Sequence, residues 1–187
     1  MLSSLDRQTL LTVARERISS TLTGLPPDYP PRTAELEVPG GAFVTLHVLS
    51  GANRRLRGCI GHIESTRPVY DTVRDAAYSA AFRDPRFAPL TAEELGSIEL
   101  EVSVLSRLER ITDTRLIVPG THGIMIGQGN RSGLLLPQVA SERDWDRETF
   151  LEQTCLKAGL PPGAWSSPDT VLRVFTADVF DESSLRM

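Results

Sequence analysis

The sequence predicts an α+β fold: an antiparallel β-sheet with two β-rich, helix-containing repeats and flanking helices. Three observations predict it. Short segments rich in β-branched and apolar residues occur in pairs separated by turn residues, which is typical of antiparallel strands. Helices with an apolar stripe follow these pairs. The order hairpin, helix, strand then occurs a second time, so we predict one domain over residues 1–187 with internal repeats at about 40–110 and 115–182.

The first elements are an amphipathic helix and a hairpin. Apolar residues at three- and four-residue spacing predict a helix that Ser3 or Ser4 caps and Gly24 ends. A proline-rich segment follows, which can form neither helix nor central strand because proline lacks the backbone donor. Two strands, at 42–49 and 56–63, are then predicted to pair antiparallel.

A second helix begins at Pro68, because proline suits the first turn of a helix. Its alanine-rich stripe implies close packing on the sheet. Thr91 and Glu94 form a capping-box pattern that begins a short helix. Residues 98–104 alternate between apolar and polar, which predicts a strand with one buried face.

The second half repeats this order. It contains predicted strands at 123–126 and 133–139 around a glycine-rich turn, a helix through 150–158 that Gly159 ends, and a last strand from Val171 to about Phe180. The identity between the two halves is slight, so the pattern leaves open whether they arose by internal duplication.

Composition bounds the classes of function. The 187 residues are 40% apolar and 24% charged, enough for a core of ordinary size. The formal charge of −4 is spread along the chain, so we expect no nucleic-acid partner. The N-terminus has no basic segment followed by an apolar core, and no apolar run spans a bilayer, so we expect a cytoplasmic protein with no membrane partner. In a reducing cytosol, Cys59 and Cys155 should be free thiols.

Several motifs carry a resemblance to a known family. They are Leu56-Arg57-Gly58-Cys59-Ile60-Gly61, Phe82-Arg83-Asp84-Pro85-Arg86-Phe87 and Gly133-Leu134-Leu135-Leu136-Pro137-Gln138-Val139, with further matches at His122-Gly123-Ile124, Trp145 and Cys155-Leu156-Lys157-Ala158-Gly159-Leu160-Pro161. In these residues the chain resembles the AmmeMemoRadiSam system protein A family, also called the AMME syndrome candidate gene 1 domain. The resemblance covers nearly the whole chain and implies the same α+β fold. It also implies two partners, a Memo-like protein and a radical S-adenosylmethionine enzyme, but no particular reaction.

Cys59 is the candidate nucleophile. Gly58 and Gly61 on either side would let a ligand approach closely, and Arg57 would favour the thiolate or an anionic substrate group. Strand alternation places Arg57 and Cys59 on one face, about 7 Å apart. The alternative is that a crowded strand needs small residues at these positions. Leu134, which aligns with Cys59 in the second half, supports that alternative.

We expect no metal and no cofactor. Cys59 and His62 have the spacing of half a zinc site, but the other possible ligands are scattered. His62 also stands where many members of the resembled family carry a small polar residue, which argues against a catalytic role. Cys155 lies on the apolar stripe of its helix and is predicted to be core. Gly127 and Gly129 are predicted to form a hairpin turn, because no helix follows them to hold a dinucleotide.

The charged loop after the second helix is the candidate binding segment. Arg83, Asp84 and Arg86 surround Pro85, on a loop of the kind that commonly carries binding residues. Alternatively, Asp84 caps its own turn and the arginines pair locally. His122 is a further binding candidate, because it either faces a pocket or shapes a turn.

Two other sets of charged residues each allow two interpretations of their role. Arg54, Arg55 and Arg57 could hold a small anion or form a solvated turn. Glu99 and Glu101 share one strand face and could be an acid/base pair, although a solvent-facing strand gives the same spacing.

Two functions fit these observations. The first is an enzyme or a thiol-bearing accessory protein that uses Cys59 with Arg57. The second is a non-catalytic adaptor that docks the Memo-like protein or the radical enzyme. A pocket beside Cys59 would favour the first function, and an exposed apolar patch remote from Cys59 would favour the second.

Overall fold

A computed structural model describes residues 2–50 and 53–184 and confirms the α+β prediction. Within these residues the helices are α1 (Ser4–Thr23), α2 (Val69–Phe82), α3 (Pro137–Glu142) and α4 (Arg147–Lys157). The strands are β1 (Ala42–Ser50), β2 (Asn53–His62), β3 (Ile98–Leu105), β4 (Glu109–Ile111), β5 (Gly123–Gln128), β6 (Arg131–Leu135), β7 (Val171–Phe175) and β8 (Ala177–Asp181). They form two four-stranded sheets, in the orders β2-β1-β3-β8 and β4-β7-β5-β6.

The chain divides into two compact units. The first contains Met1–Leu105 and Asp178–Met187, and the second contains Ser106–Ala177. Each unit has a hairpin, a helix after it and a core of its own. The single domain over 1–187 and the repeat boundaries of about 40–110 and 115–182 stay predictions. No helix in the described part of the chain combines the length and the apolar character that crossing a membrane requires.

Helix ends in the first unit follow the predicted capping. The Ser3 hydroxyl accepts the Asp6 N–H at 3.1 Å, and the Asp6 carboxylate accepts the Ser3 N–H at 3.2 Å, which satisfies two free donors of α1. Gly24 ends α1 with φ 72°, a left-handed conformation that glycine adopts without strain. The predicted capping box at Thr91 and Glu94 is also present, and it begins a short 3₁₀ helix, Ala92–Glu94.

The hairpin of the first unit contains a β-bulge, which the regular alternation of side chains along a strand did not predict. Leu46 pairs with Gly58 and His47 pairs with Leu56, so Arg57 is an extra residue in β2. Such a bulge interrupts the alternation of side chains along a strand. On either side of the bulge, alternate residues of β1 face the core or the opposite surface of the sheet.

Glycine permits the close approach of helix and hairpin in both units. A Cβ on Gly58 would lie 2.2 Å from the main-chain oxygen of Ala80 in α2. A Cβ on Gly133 in β6 would lie 2.5 Å from the main-chain nitrogen of Ala158, just after α4. Each unit therefore packs its helix against a glycine in the second strand of its hairpin.

Two predictions for the second half were wrong. The predicted strand at 133–139 ends at Leu135, and Pro137 begins α3, because proline suits a first helical turn and cannot donate within a strand. The predicted last strand is interrupted at Thr176, and its two parts, β7 and β8, belong to different sheets. Hydrophobic pattern does not reveal such a change of sheet, because both parts contain apolar residues suited to strands.

Candidate functional site

The site is built on the free edge of β2, around Cys59. β2 is the edge strand of its sheet, so main-chain groups that point away from β1 have no strand partner. The Cys59 N–H donates to Asp84 Oδ2 at 2.9 Å, and Arg86 Nη2 donates to the Cys59 carbonyl oxygen at 3.1 Å. The loop after α2 thus supplies the hydrogen bonds that another strand would make at this position.

Asp84 and Arg86 form the ion pair that holds this arrangement. Arg86 donates through Nε to Asp84 Oδ1 at 2.9 Å and through Nη2 to Oδ2 at 2.7 Å. Asp84 is only 4% exposed. Arg86 is the largest influence on its carboxyl, and this hydrogen-bonded guanidinium together with the Cys59 and Arg86 N–H groups holds the pKa of Asp84 far below its ordinary value, against the opposing effect of burial. Asp84 is therefore an ionised carboxylate at neutral pH.

The Cys59 side chain lies on the opposite face of the sheet from the helices. Its strand partner is Thr45, whose hydroxyl is 3.3 Å from Sγ and donates to it. Cys59 is half-buried and is a free thiol. The backbone N–H and carbonyl of Cys59 are both hydrogen-bonded, and the residue as a whole is only partly buried.

Close packing accounts for both glycines that flank Cys59. Gly58 faces Ala80, and a Cβ on Gly61 would lie 2.3 Å from the Ala42 main-chain oxygen and 2.5 Å from Cγ of Phe43. The fold therefore requires glycine at both positions, whether or not a ligand also contacts them. The geometry of both glycines matches the packing alternative, and their contact with a ligand stays a prediction.

Arg57 is engaged by Glu94. Its Nε donates to Glu94 Oε1 at 2.8 Å and its Nη2 donates to Oε2 at 3.0 Å. The hydrogen bond from Arg57 is the largest influence on Glu94 and lowers the pKa of that carboxyl to about 2. Because Arg57 is the extra residue of the bulge, the simple alternation that placed it on one face with Cys59 does not hold in this strand.

Two predicted binding residues are not part of this group. The guanidinium of Arg83 stacks over the Tyr78 ring, 5.2 Å from its centroid. His122 belongs to the second unit, where its Nδ1 accepts the Val118 N–H at 3.1 Å and shapes the turn before β5. For His122, the geometry matches the turn-shaping alternative.

A cleft adjoins the Asp84–Arg86 pair. It has a volume of about 410 Å³ and is lined by Arg55, Leu56, Arg57, Arg86, Phe87 and Ala88. Phe87 and Leu56 were not predicted as lining residues, and Thr45 and Glu94 were not predicted as partners. Phe87 and Leu56 were visible in the motifs that carry the family resemblance, but Thr45 and Glu94 gave no signal beyond strand and capping patterns.

A second polar group lies on the same sheet face as the thiol. Arg54 contacts Glu99 and Asp181, each at 3.0 Å. Glu99 is 6% exposed, so the alternative of a solvent-facing strand does not fit this residue. Burial is the largest influence on His47 and lowers its pKa. Within residues 2–50 and 53–184, no three His, Cys, Asp or Glu side chains are arranged to hold a metal ion.

Comparison with known proteins gives a consistent set of relatives. The family model described as AMMECR1 matches residues 11–180. A protein from Methanothermobacter thermautotrophicus is 42% identical over 97% of this chain and 96% of its own length. One from Methanopyrus kandleri is 42% identical over 92% of this chain and 86% of its own. The crystal structure of an uncharacterised protein from Pyrococcus horikoshii is similar with a TM-score of 0.82 and 41% identity, covering 92% of this chain and 89% of that one.

Proposed function

Because the chain belongs to the AMMECR1 family, whose matched relatives carry no described activity, we propose a function from the geometry of its own site. The protein is an enzyme or a thiol-bearing accessory protein that acts in the cytoplasm, and Cys59 is its reacting group. The observation that carries the proposal is the fixed backbone of Cys59, held at its N–H by Asp84 and at its carbonyl by Arg86.

This backbone arrangement suits a reacting thiol for two reasons. A nucleophile gains rate when its attack geometry is fixed before the ligand arrives, since less entropy is then lost in the reaction. Cys59 is also half-buried rather than fully buried, as a reacting thiol requires. Cys155, by contrast, is fully buried, and burial raises the pKa of its thiol.

In the proposed step, the Cys59 thiolate attacks an electrophilic carbon of the ligand. A bond forms between Sγ and that carbon, the leaving group departs with the bonding electron pair, and the thiol proton has passed to water beforehand. The hydroxyl of Thr45 donates to the sulfur and orients it. Arg57 acts in this proposal by fixing the bulge through Glu94, next to the reacting residue.

Deletion and rescue test the proposal. Small molecules are profiled by mass spectrometry in cells that lack the gene and in cells complemented with the wild type, Cys59→Ser or Cys155→Ala. We expect the wild type and Cys155→Ala to restore the normal profile and Cys59→Ser to leave it altered. Full rescue by Cys59→Ser, at equal protein level, would remove the thiol from the function.

An adaptor is the second candidate, favoured by one observation. Arg83 is exposed, and in the described part of the chain its guanidinium makes no ion pair and only stacks on Tyr78. Arginine beside an aromatic ring is a common composition for a protein interface. The partners proposed are the Memo-like protein and the radical S-adenosylmethionine enzyme. Calorimetric titration of the Memo-like protein with wild type and Arg83→Ala tests this function, and absence of binding by the wild type contradicts it.

A further inference from the structure

We infer that the cleft lined by Arg55, Leu56, Arg57, Arg86, Phe87 and Ala88 binds a small molecule that carries a phosphate or carboxylate on an apolar group. The cleft lies within the first unit. Its volume of about 410 Å³ is within the usual range for small-molecule sites. The inference does not require Cys59 to react.

The cleft contains two arginines, Arg57 and Arg86, whose hydrogen-bond donors are only partly used. Arg57 and Arg86 use Nε and Nη2 to bind Glu94, Asp84 and main-chain oxygens. In the described part of the chain, Nη1 of each guanidinium makes no hydrogen bond. The two arginines are therefore held in place from one side and keep a donor on the other. A fixed guanidinium loses little entropy when it binds an oxyanion.

The residues that line the cleft have a net positive charge. Glu94 and Asp84 compensate the charges of Arg57 and Arg86, because both carboxyls have lowered pKa values and stay ionised at neutral pH. Arg55 is exposed, and among residues 2–50 and 53–184 it has no ion pair. The cleft consequently carries one uncompensated positive charge. That balance favours a singly or doubly charged anion over a neutral ligand or a cation.

Part of the cleft lining is apolar, and it consists of Leu56 and Phe87. The Phe87 ring is close to both fixed arginines, with its centroid 6.0 Å from Cζ of Arg57 and 5.5 Å from Cζ of Arg86. Leu56 remains 39% exposed although it lies in a strand. An inorganic ion would leave this apolar surface in water, whereas a ligand with an apolar group would cover it. We therefore assign the anionic group to the arginines and the apolar group to Leu56 and Phe87.

Nuclear magnetic resonance titration tests the inference. The full chain, labelled with ¹⁵N, is titrated in low salt with phenyl phosphate, benzoate, inorganic phosphate and phenol, and the backbone and arginine Nε–H signals are followed. We expect saturating shifts at Arg55, Arg86 and Phe87 with phenyl phosphate or benzoate, and weaker binding of inorganic phosphate and phenol. The relative affinity of phenyl phosphate and benzoate identifies the oxyanion.

Two variants locate the binding. Arg55→Gln should weaken the affinity for phenyl phosphate by about two- to fivefold, the effect of one exposed charge. Arg107→Gln, at an exposed arginine of the second unit, should leave the affinity unchanged. Shifts that do not saturate, that appear equally at arginines outside the cleft, or that are insensitive to Arg55→Gln would overturn the inference. Spectra of the free variants show whether each is folded. The outcome is independent of the rescue by Cys59→Ser, so the two proposals can fail separately.

Discussion

The main-chain N–H of Cys59 donates to Asp84 Oδ2 at 2.9 Å, which ties the free edge of β2 to the loop after α2. The same carboxylate binds Arg86, so one buried aspartate satisfies a strand edge and fixes a guanidinium of the cleft. Loss of Asp84 would leave both groups without their partner.

Asp84→Ala should lower the free energy of unfolding by about 1–3 kcal/mol, because the part-buried Cys59 N–H and the Arg86 guanidinium both lose their partner. Urea denaturation followed by circular dichroism measures the change. Asp113→Ala is the matched control, since Asp113 forms a similar short-range pair with Arg115 on the exposed surface. Its unfolding midpoint should stay near that of the wild type. Equal effects of the two substitutions would show that the Asp84 contact contributes nothing beyond a surface pair.

The ionised Glu94 carboxylate should make the free energy of unfolding depend on pH. Arg57 lowers the pKa of Glu94 from 4.5 to about 2, so the stability contributed by the ionised form is fully present above about pH 5 and is lost as the pH falls towards 2. The pKa of Asp84 is shifted in the same direction and adds to this loss. We expect Glu94→Gln to reduce the steepness of the decline in urea midpoint between pH 5 and about pH 3. Parallel curves for the two proteins would contradict the coupling between Arg57 and Glu94.

Gly58→Ala should destabilise the protein by about 1–3 kcal/mol, the usual cost of forcing extra atoms into a packed site. The added Cβ would lie 2.2 Å from the Ala80 main-chain oxygen, and a main-chain atom cannot rotate away. Gly96→Ala is the control, because a Cβ at Gly96 meets no atom within 4 Å. Thermal unfolding should show a lower midpoint for Gly58→Ala alone. A Gly58→Ala protein as stable as the wild type would be inconsistent with the packing of α2 on β2.

Cys59 should react with iodoacetamide about tenfold faster than Cys155 in the native protein, because thiol reactivity follows exposure and thiolate fraction. Cys155 is fully buried and has a raised pKa, while Cys59 is half-buried. Site-resolved mass spectrometry after timed alkylation near neutral pH measures both rates. Urea-unfolded protein, in which the two thiols should label alike, is the control. Equal or inverted native rates would contradict the proposed role of Cys59.

Arg57→Gln and Glu94→Gln together distinguish two roles of Arg57. If the guanidinium acts on the thiolate directly, Arg57→Gln alone should slow alkylation of Cys59. If Arg57 acts by fixing the bulge through Glu94, both substitutions should change the rate alike, since both break the same contact. We expect the second outcome. Slowing by Arg57→Gln alone, in a variant with an unchanged melting midpoint, would restore the direct role.

The residues of the candidate site are joined by contacts between segments far apart in the chain, and no short stretch of sequence reveals such contacts. Motifs in the sequence predicted Cys59, Asp84 and Arg86 as site residues, and the structure brings these three together. Arg83 and His122 were predicted on the same grounds, but in the structure they contact other residues. Charged residues in loops form contacts that depend on the path of the chain, so residue type alone does not separate the two outcomes.

The sequence by itself determined the α+β class, the end of α1 at Gly24 and the hairpin, helix, strand order of the first half. Capping, proline chemistry and side-chain periodicity act within a few residues, so a single stretch of sequence contains all the information. Only the tertiary structure decided that Arg57 is an extra residue in β2, that Glu94 binds it, and that the last predicted strand divides between two sheets. Strand register and ion pairs join segments far apart in the chain, and many pairings are compatible with the same local preferences. Packing of the whole unit selects one of them.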